Sequence, residues 1–147
     1  MKVEILALCD FASADQGGKL TIVGSFDHIW SMGTPIIHPL CALAAKLRFQ
    51  VVEQETKKIR ISFIDSDGKS VMPTVDIPVP VQVSPGESTA SVPFVMIIQQ
   101  LKLPHFGEYS IDLAIDGMQQ ASIPLFARQV QMPPQMQLGQ QPQEPKQ

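Results

Sequence analysis

The chain has 147 residues, 44% of them hydrophobic and 17% charged, and 11 Lys+Arg against 14 Asp+Glu set a formal net charge of −3. A chain of this length buries about 68–70% of the surface its unfolded form exposes, enough for one independent core without metal or disulfide staples. Bases scattered under an acidic balance supply no cluster to set against phosphate, which excludes nucleic acid as a partner.

Apolar residues recur with period two along most of the chain, and no window holds a helical i, i+3, i+4, i+7 pattern beyond about a turn, so the expected class is all-β. The first strand carries Val3, Ile5, Ala7 and Cys9 on one face. Asp15-Gln16-Gly17-Gly18 reads as a hairpin loop into a second strand with Leu20, Ile22, Gly24, Phe26 and His28, extending toward Trp30. Gly24 marks a bulge or a close backbone approach. Gly33-Thr34-Pro35 and Pro39 bracket a loop. The third strand then alternates Cys41, Leu43, Ala45, Leu47, Phe49 and Val51 with Ala42, Ala44, Lys46, Arg48 and Gln50. After a charged turn, Ile59, Ile61 and Phe63 point inward against Lys58, Arg60 and Ser62, and Asp65-Ser66-Asp67-Gly68 closes that strand with ordinary turn chemistry.

Between Val71 and Val83, Pro73, Pro78 and Pro80 interrupt a valine-rich alternation, which predicts an edge strand or an extended linker. Val92, Phe94, Met96 and Ile98 form the next inward face. Val95 and Ile97 make that strand apolar on both sides, so it is expected to be fully buried. The closing hairpin pairs Tyr109, Ile111, Leu113 and Ile115 with Ala121, Ile123, Leu125 and Ala127 across Asp116-Gly117. These segments predict an antiparallel β-sandwich of immunoglobulin-like type with 7–8 strands over residues 1–130. Residues 131–147, a 17-residue stretch with seven Gln and four Pro, are expected to form a disordered tail.

Catalytic constellations are sparse. His28, His38 and His105 fall in different segments, no Gly-x-Ser-x-Gly occurs, and neither Cys9 nor Cys41 has the basic or Gly-rich setting that stabilises a thiolate. No CxxC, HxH or HExxH offers zinc spacing. Calcium is the better metal candidate, because Asp65 and Asp67 with Asp116, or with Asp112 in its place, lie at strand ends where sandwich loops can converge on a hard cation. Turn formation accounts for the same aspartates. Trp30 with Phe26 offers an aromatic anchor, although a lone Trp in a sandwich more often belongs to the core.

Cys9 and Cys41 read as reduced core thiols, and a bridge between them would require Cα atoms within about 7 Å. The opening Met1–Asp10 segment imitates a lipoprotein leader only superficially, since its apolar run is shorter than the roughly 7–15 residues required and Glu4 has the wrong sign for the flank. No run approaches the ~18 apolar residues of a membrane span, so the chain is expected in the cytoplasm without a membrane partner.

Met1-Lys2-Val3-Glu4 with Leu8-Cys9-Asp10, the stretch Gly18 to Asp27, His38-Pro39, Gly107-Glu108-Tyr109 and Asp116-Gly117 resemble a group of small single-domain bacterial proteins of unknown function. The likeness spans residues 1–128. It implies a bacterial β-sandwich and carries no catalytic residues over. From the sequence, the expectation is a non-enzymatic module without cofactor that contacts an unknown protein partner or forms a homo-oligomer. The alternatives are a ligand- or Ca²⁺-binding sandwich, with its site in the strand-end loops, and a hydrolase assembled from separate strands.

Overall fold

The computed structural model of the chain describes residues 1–131. Within them, period-two alternation resolves into nine strands: β1 (Lys2–Ala14), β2 (Leu20–Ser25), β3 (His28–Ser31), β4 (Ile36–Gln50), β5 (Thr56–Asp65), β6 (Val75–Pro80), β7 (Thr89–Leu103), β8 (Gly107–Ile115) and β9 (Met118–Gln129). One 3₁₀ turn, Val51–Glu53, joins β4 to β5. The strands form a four-stranded sheet, β2-β1-β4-β7, and a five-stranded sheet, β3-β9-β8-β5-β6. Between the sheets lies one core, in which Leu43, Leu47 and Phe49 of β4 meet Ile61 and Phe63 of β5 and Ile111 and Leu113 of β8. The expected tail, apart from Gln131, lies outside the described residues.

Two expectations change. The predicted second strand is two strands, because Phe26 N–H donates to the Leu8 carbonyl at 2.9 Å while the Asp27 carbonyl accepts from Phe126 N–H at 2.7 Å. Within two residues the chain therefore leaves one sheet and enters the other, which raises the count to nine. The new strand β3 runs parallel to β9, the one parallel pair in an otherwise antiparallel architecture among the described residues.

The second change concerns β7. It is not fully buried: it pairs only with β4 and forms an edge of its sheet. Phe94 and Ile98 face the core, whereas Ile97 is 52% exposed on the opposite face. The proline-rich segment does form an edge strand, β6, in which Pro78 and Pro80 lie opposite Lys58 and Thr56.

A crease crosses the four-stranded sheet. On β4 the inward residues change from Ile36 to the odd series beginning at Cys41, and on β7 from Ile98 to Leu101 and Leu103. The change falls at Pro39 and at Gln100, whose φ is 54°. On the other side of the sheet Gly24 has φ 66°. A Cβ there would collide with the Asp10 side chain, so what comes close to Gly24 is a carboxyl group and not another backbone. Beyond that point Ala12 packs beside Cys9 rather than on the other face.

Candidate functional site

The three aspartates do not form one site. Asp65 ends β5 and pairs with Tyr109, whereas Asp116 lies beside Lys58 at the other end of the same strand. Seven residues of extended chain put them about 23 Å apart, and calcium ligands must lie about 2.3–2.6 Å from one ion. Each carboxylate is engaged locally. Asp65 Oδ1 accepts from the backbone N–H groups of Asp67 and Lys69, both at 2.9 Å, and Asp116 Oδ1 accepts from Lys58 N–H at 2.9 Å. Those backbone donors, with His105 beside Asp65 and Lys57 beside Asp116, hold both carboxyls below the usual range. Turn chemistry thus accounts for the motif. No group of three or more His, Cys, Asp or Glu side chains is placed to hold a metal among the described residues.

His28 and His38 line one cleft from different strands, and His105 lies apart at the corner before β8. His105 stacks on Tyr109 at 5.3 Å, and Tyr109 donates its hydroxyl proton to the His105 carbonyl at 2.7 Å, closing the corner before β8. His38 lies against Phe26 with ring centroids 5.5 Å apart. His28 stacks between Trp30 and Phe126, with Arg128 over the Phe126 ring at 5.0 Å. That ladder forms because His28 and Trp30 are register partners of Phe126 and Arg128 across the parallel pair. Trp30 is not a core residue: it is 61% exposed, because on a four-residue edge strand only Ile29 turns inward. Asp10, Phe26, His28, Trp30 and His38 line a shallow cleft of about 450 Å³ beside it. Ser25 lines it as well, and among the described residues its hydroxyl makes no hydrogen bond to His28 or His38.

The outward faces of the two sheets differ in kind. On the five-stranded sheet, Arg60 bonds Asp76 at 2.7 Å, Lys58 lies 3.4 Å from the same carboxylate, and Ser110 and Ser122 both donate to Asp112 at 2.6 Å. On the four-stranded sheet, ion pairs of Glu4 with Lys46 and Arg48 occupy one end of the outer face, and beyond them Cys9, Ala12, Ala42 and Ala44 form a second fully buried cluster, rimmed by Leu20, Ile22 and Val95. Leu40 and Ile97 lie next to it at 53% and 52% exposure. No third layer covers this face among the described residues. Ala42 and Ala44 on β4, and Val95 and Ile97 on β7, already made both sides of those strands apolar in the sequence. What the sequence lacked was the sheet order, which puts the second apolar side outward.

Cys9 belongs to that outer cluster and Cys41 to the core between the sheets, so the thiols project from opposite faces of one sheet and both are free. Burial pushes the Cys41 thiol up to about 11 and raises that of Cys9, so neither is an activated nucleophile.

Residues 4–128 match a family described as a family of unknown function, DUF6941. The chain belongs to this family. The matched DUF6941 region begins within β1 and ends within β9, so it contains both sheets, the crease and the apolar outer face. No curated protein and no solved structure matches the chain.

Proposed function

We propose that this DUF6941 chain is a non-enzymatic protein-contact module of the cytoplasm that binds a partner through the outward face of its four-stranded sheet. One observation carries the reading. The outer face of the five-stranded sheet is tied together by ion pairs and hydroxyl–carboxylate bonds, whereas that of the four-stranded sheet has ion pairs only at its Glu4–Lys46–Arg48 end and elsewhere exposes Leu40 and Ile97 around a buried alanine and cysteine floor. Contiguous exposed apolar surface is uncommon on soluble monomers and marks interaction sites. Covering a half-exposed Leu or Ile is worth roughly 1 kcal/mol, so a partner seated on Leu40, Ile97 and their neighbours gains affinity from transfer out of water alone.

An immunoglobulin-like arrangement supports this use. β4 and β7 pair in one sheet while β5, β8 and β9 lie side by side in the other, the disposition of strands B and E against C, F and G, and Tyr109 makes the corner bond expected before strand F. Free buried thiols suit a reducing compartment.

Leu40→Glu sets a charge in the middle of the face without touching the core between the sheets. Affinity capture from the native cell with wild type should recover a defined protein, and the variant, at unchanged melting temperature, should lose it. Equal recovery by both would remove the face from consideration, and hydrolysis of a broad substrate panel that depends on one polar side chain would remove the non-enzymatic reading.

A further inference from the structure

Among the described residues the sheets have four edges, and three are poorly suited to accepting another strand. β3 has four residues, β6 carries Pro78 and Pro80, and β2 has six residues broken by Gly24 in the left-handed region. These are the usual ways in which β proteins blunt an edge. The fourth edge, β7, runs for 15 residues.

The ladder fixes which backbone groups β7 leaves free. Val51 N–H donates to the Ser88 carbonyl at 3.1 Å, and in an antiparallel pair the bonded positions recur every second residue. Along the observed register, β7 therefore spends its even-numbered residues on β4, including Phe94, Met96 and Ile98. The far side of β4 agrees: Leu8 bonds Phe26, so Cys9 is left to bond Ala42, and the odd residues of β4 remain for β7. Val95, Ile97 and Gln99 accordingly point their N–H and C=O groups away from the sheet. Pro93 points its donorless nitrogen the same way, the orientation in which an edge tolerates proline.

We infer that a second copy of this chain pairs with the free edge of β7, antiparallel about a twofold axis through Ile97. Like backbone positions must face each other across such a pair, so a symmetric register is centred on one residue. Centring on Ile97 bonds Ile97 to its own copy and Val95 to Gln99 of the other copy, giving about six N–H···O bonds. This register stops short of Gln100, where φ turns positive, and leaves Pro93 out of the bonded set. Centring on Val95 or Met96 would bring Pro93 into it and lose donors. No charged side chain occurs between Thr89 and Leu101, so the two strands meet without like charges opposed. The result is one eight-stranded sheet with the two apolar outer faces joined side by side, Ile97 against Ile97 at the centre. This goes beyond the proposed contact face: it uses the edge and names the partner.

Sedimentation velocity of the full chain over about 1–500 µM tests it. Wild type should move from monomer to dimer across the series. Ile97→Pro keeps an apolar side chain and removes an N–H that has no ladder partner among the described residues, so it should fold with wild-type circular dichroism while self-association weakens by at least about 100-fold. Ile97→Lys, which opposes two ammonium groups at the axis, should also be monomeric at low ionic strength and recover partly in high salt. Leu40→Glu should still dimerise, so that loss of partner capture and loss of self-pairing are read separately. A wild type that stays monomeric throughout, or a folded Ile97→Pro that dimerises like wild type, would overturn the inference.

Discussion

Asp65 shows how much a single carboxylate can organise. One oxygen closes the Asp65–Gly68 turn through two backbone donors, while His105 Nε2 lies 3.6 Å from the other. Because these groups favour the charged form, its folded-state pKa lies below the unfolded value of about 3.9. The stabilisation is then fully present above pH 4 and fades as pH falls through the folded-state value. Asp65→Asn should therefore lower the melting temperature at pH 7, with the two curves converging below about pH 4; superimposable melts at neutral pH would contradict this. At this scale the sequence was informative about chemistry and weak about place. Asp-x-Asp-Gly announced a turn correctly, but the spacing of Asp65 from Asp116 said nothing of their lying at opposite ends of β5. Trp30 was misplaced for a similar reason, since side-chain size predicts burial on average and a short edge strand overrides the average.

Among the elements, the crease determines which residues face where. Read from alternation, the third strand begins after Pro39 and the β7 face runs only to Ile98, which stops short of the positions where the inward series shifts by one on each strand. On β7 the shift falls at Gln100, whose φ is positive, and it redirects the side chains beyond it as a one-residue slip would. Gly24 is where this can be probed. Gly24→Ala must hold a Cβ at positive φ and against Asp10, so it should cost about 1–3 kcal/mol in urea unfolding. Adding Asp10→Ala should recover the steric part and leave the backbone part. If Gly24→Ala alone were neutral, the contact with Asp10 would not be tight. Most strands were legible because their alternation is strict, and β6 was read as an edge from its prolines. The division of β2 from β3 was hidden, because Phe26 and Asp27 change hydrogen-bond partner without interrupting the alternation.

At the scale of the molecule, the fold class followed from patterning and the sheet order did not. Leu113 is fully buried at the centre of the five-stranded sheet, facing Ile61 across the ladder. Leu113→Ala should cost about 2–5 kcal/mol, measured by chemical denaturation. A cost below 1 kcal/mol would mean that the core closes over the gap. The order β2-β1-β4-β7 is what turned an expected buried strand into an edge, and an expected second core face into outer surface. Apolar content tells how much surface must leave water. It does not tell whether the chain or a partner covers it, and that ambiguity is why the outer face went unread.

The parallel pairing of β3 with β9 bears on synthesis. His28–Ser31 takes its bonds from Phe126–Gln129, almost a hundred positions later in the chain. While the protein emerges from a ribosome, the hairpin of β1 and β2 can form early and β4 can join it. The segment carrying His28 and Trp30 must wait, with its backbone unpaired and its aromatic groups in water, until the last strand has cleared the exit. The DUF6941 sandwich thus closes one edge of a sheet with an early segment laid against a late one, and a nascent chain stopped anywhere short of β9 holds an open seam where the finished molecule has a closed one.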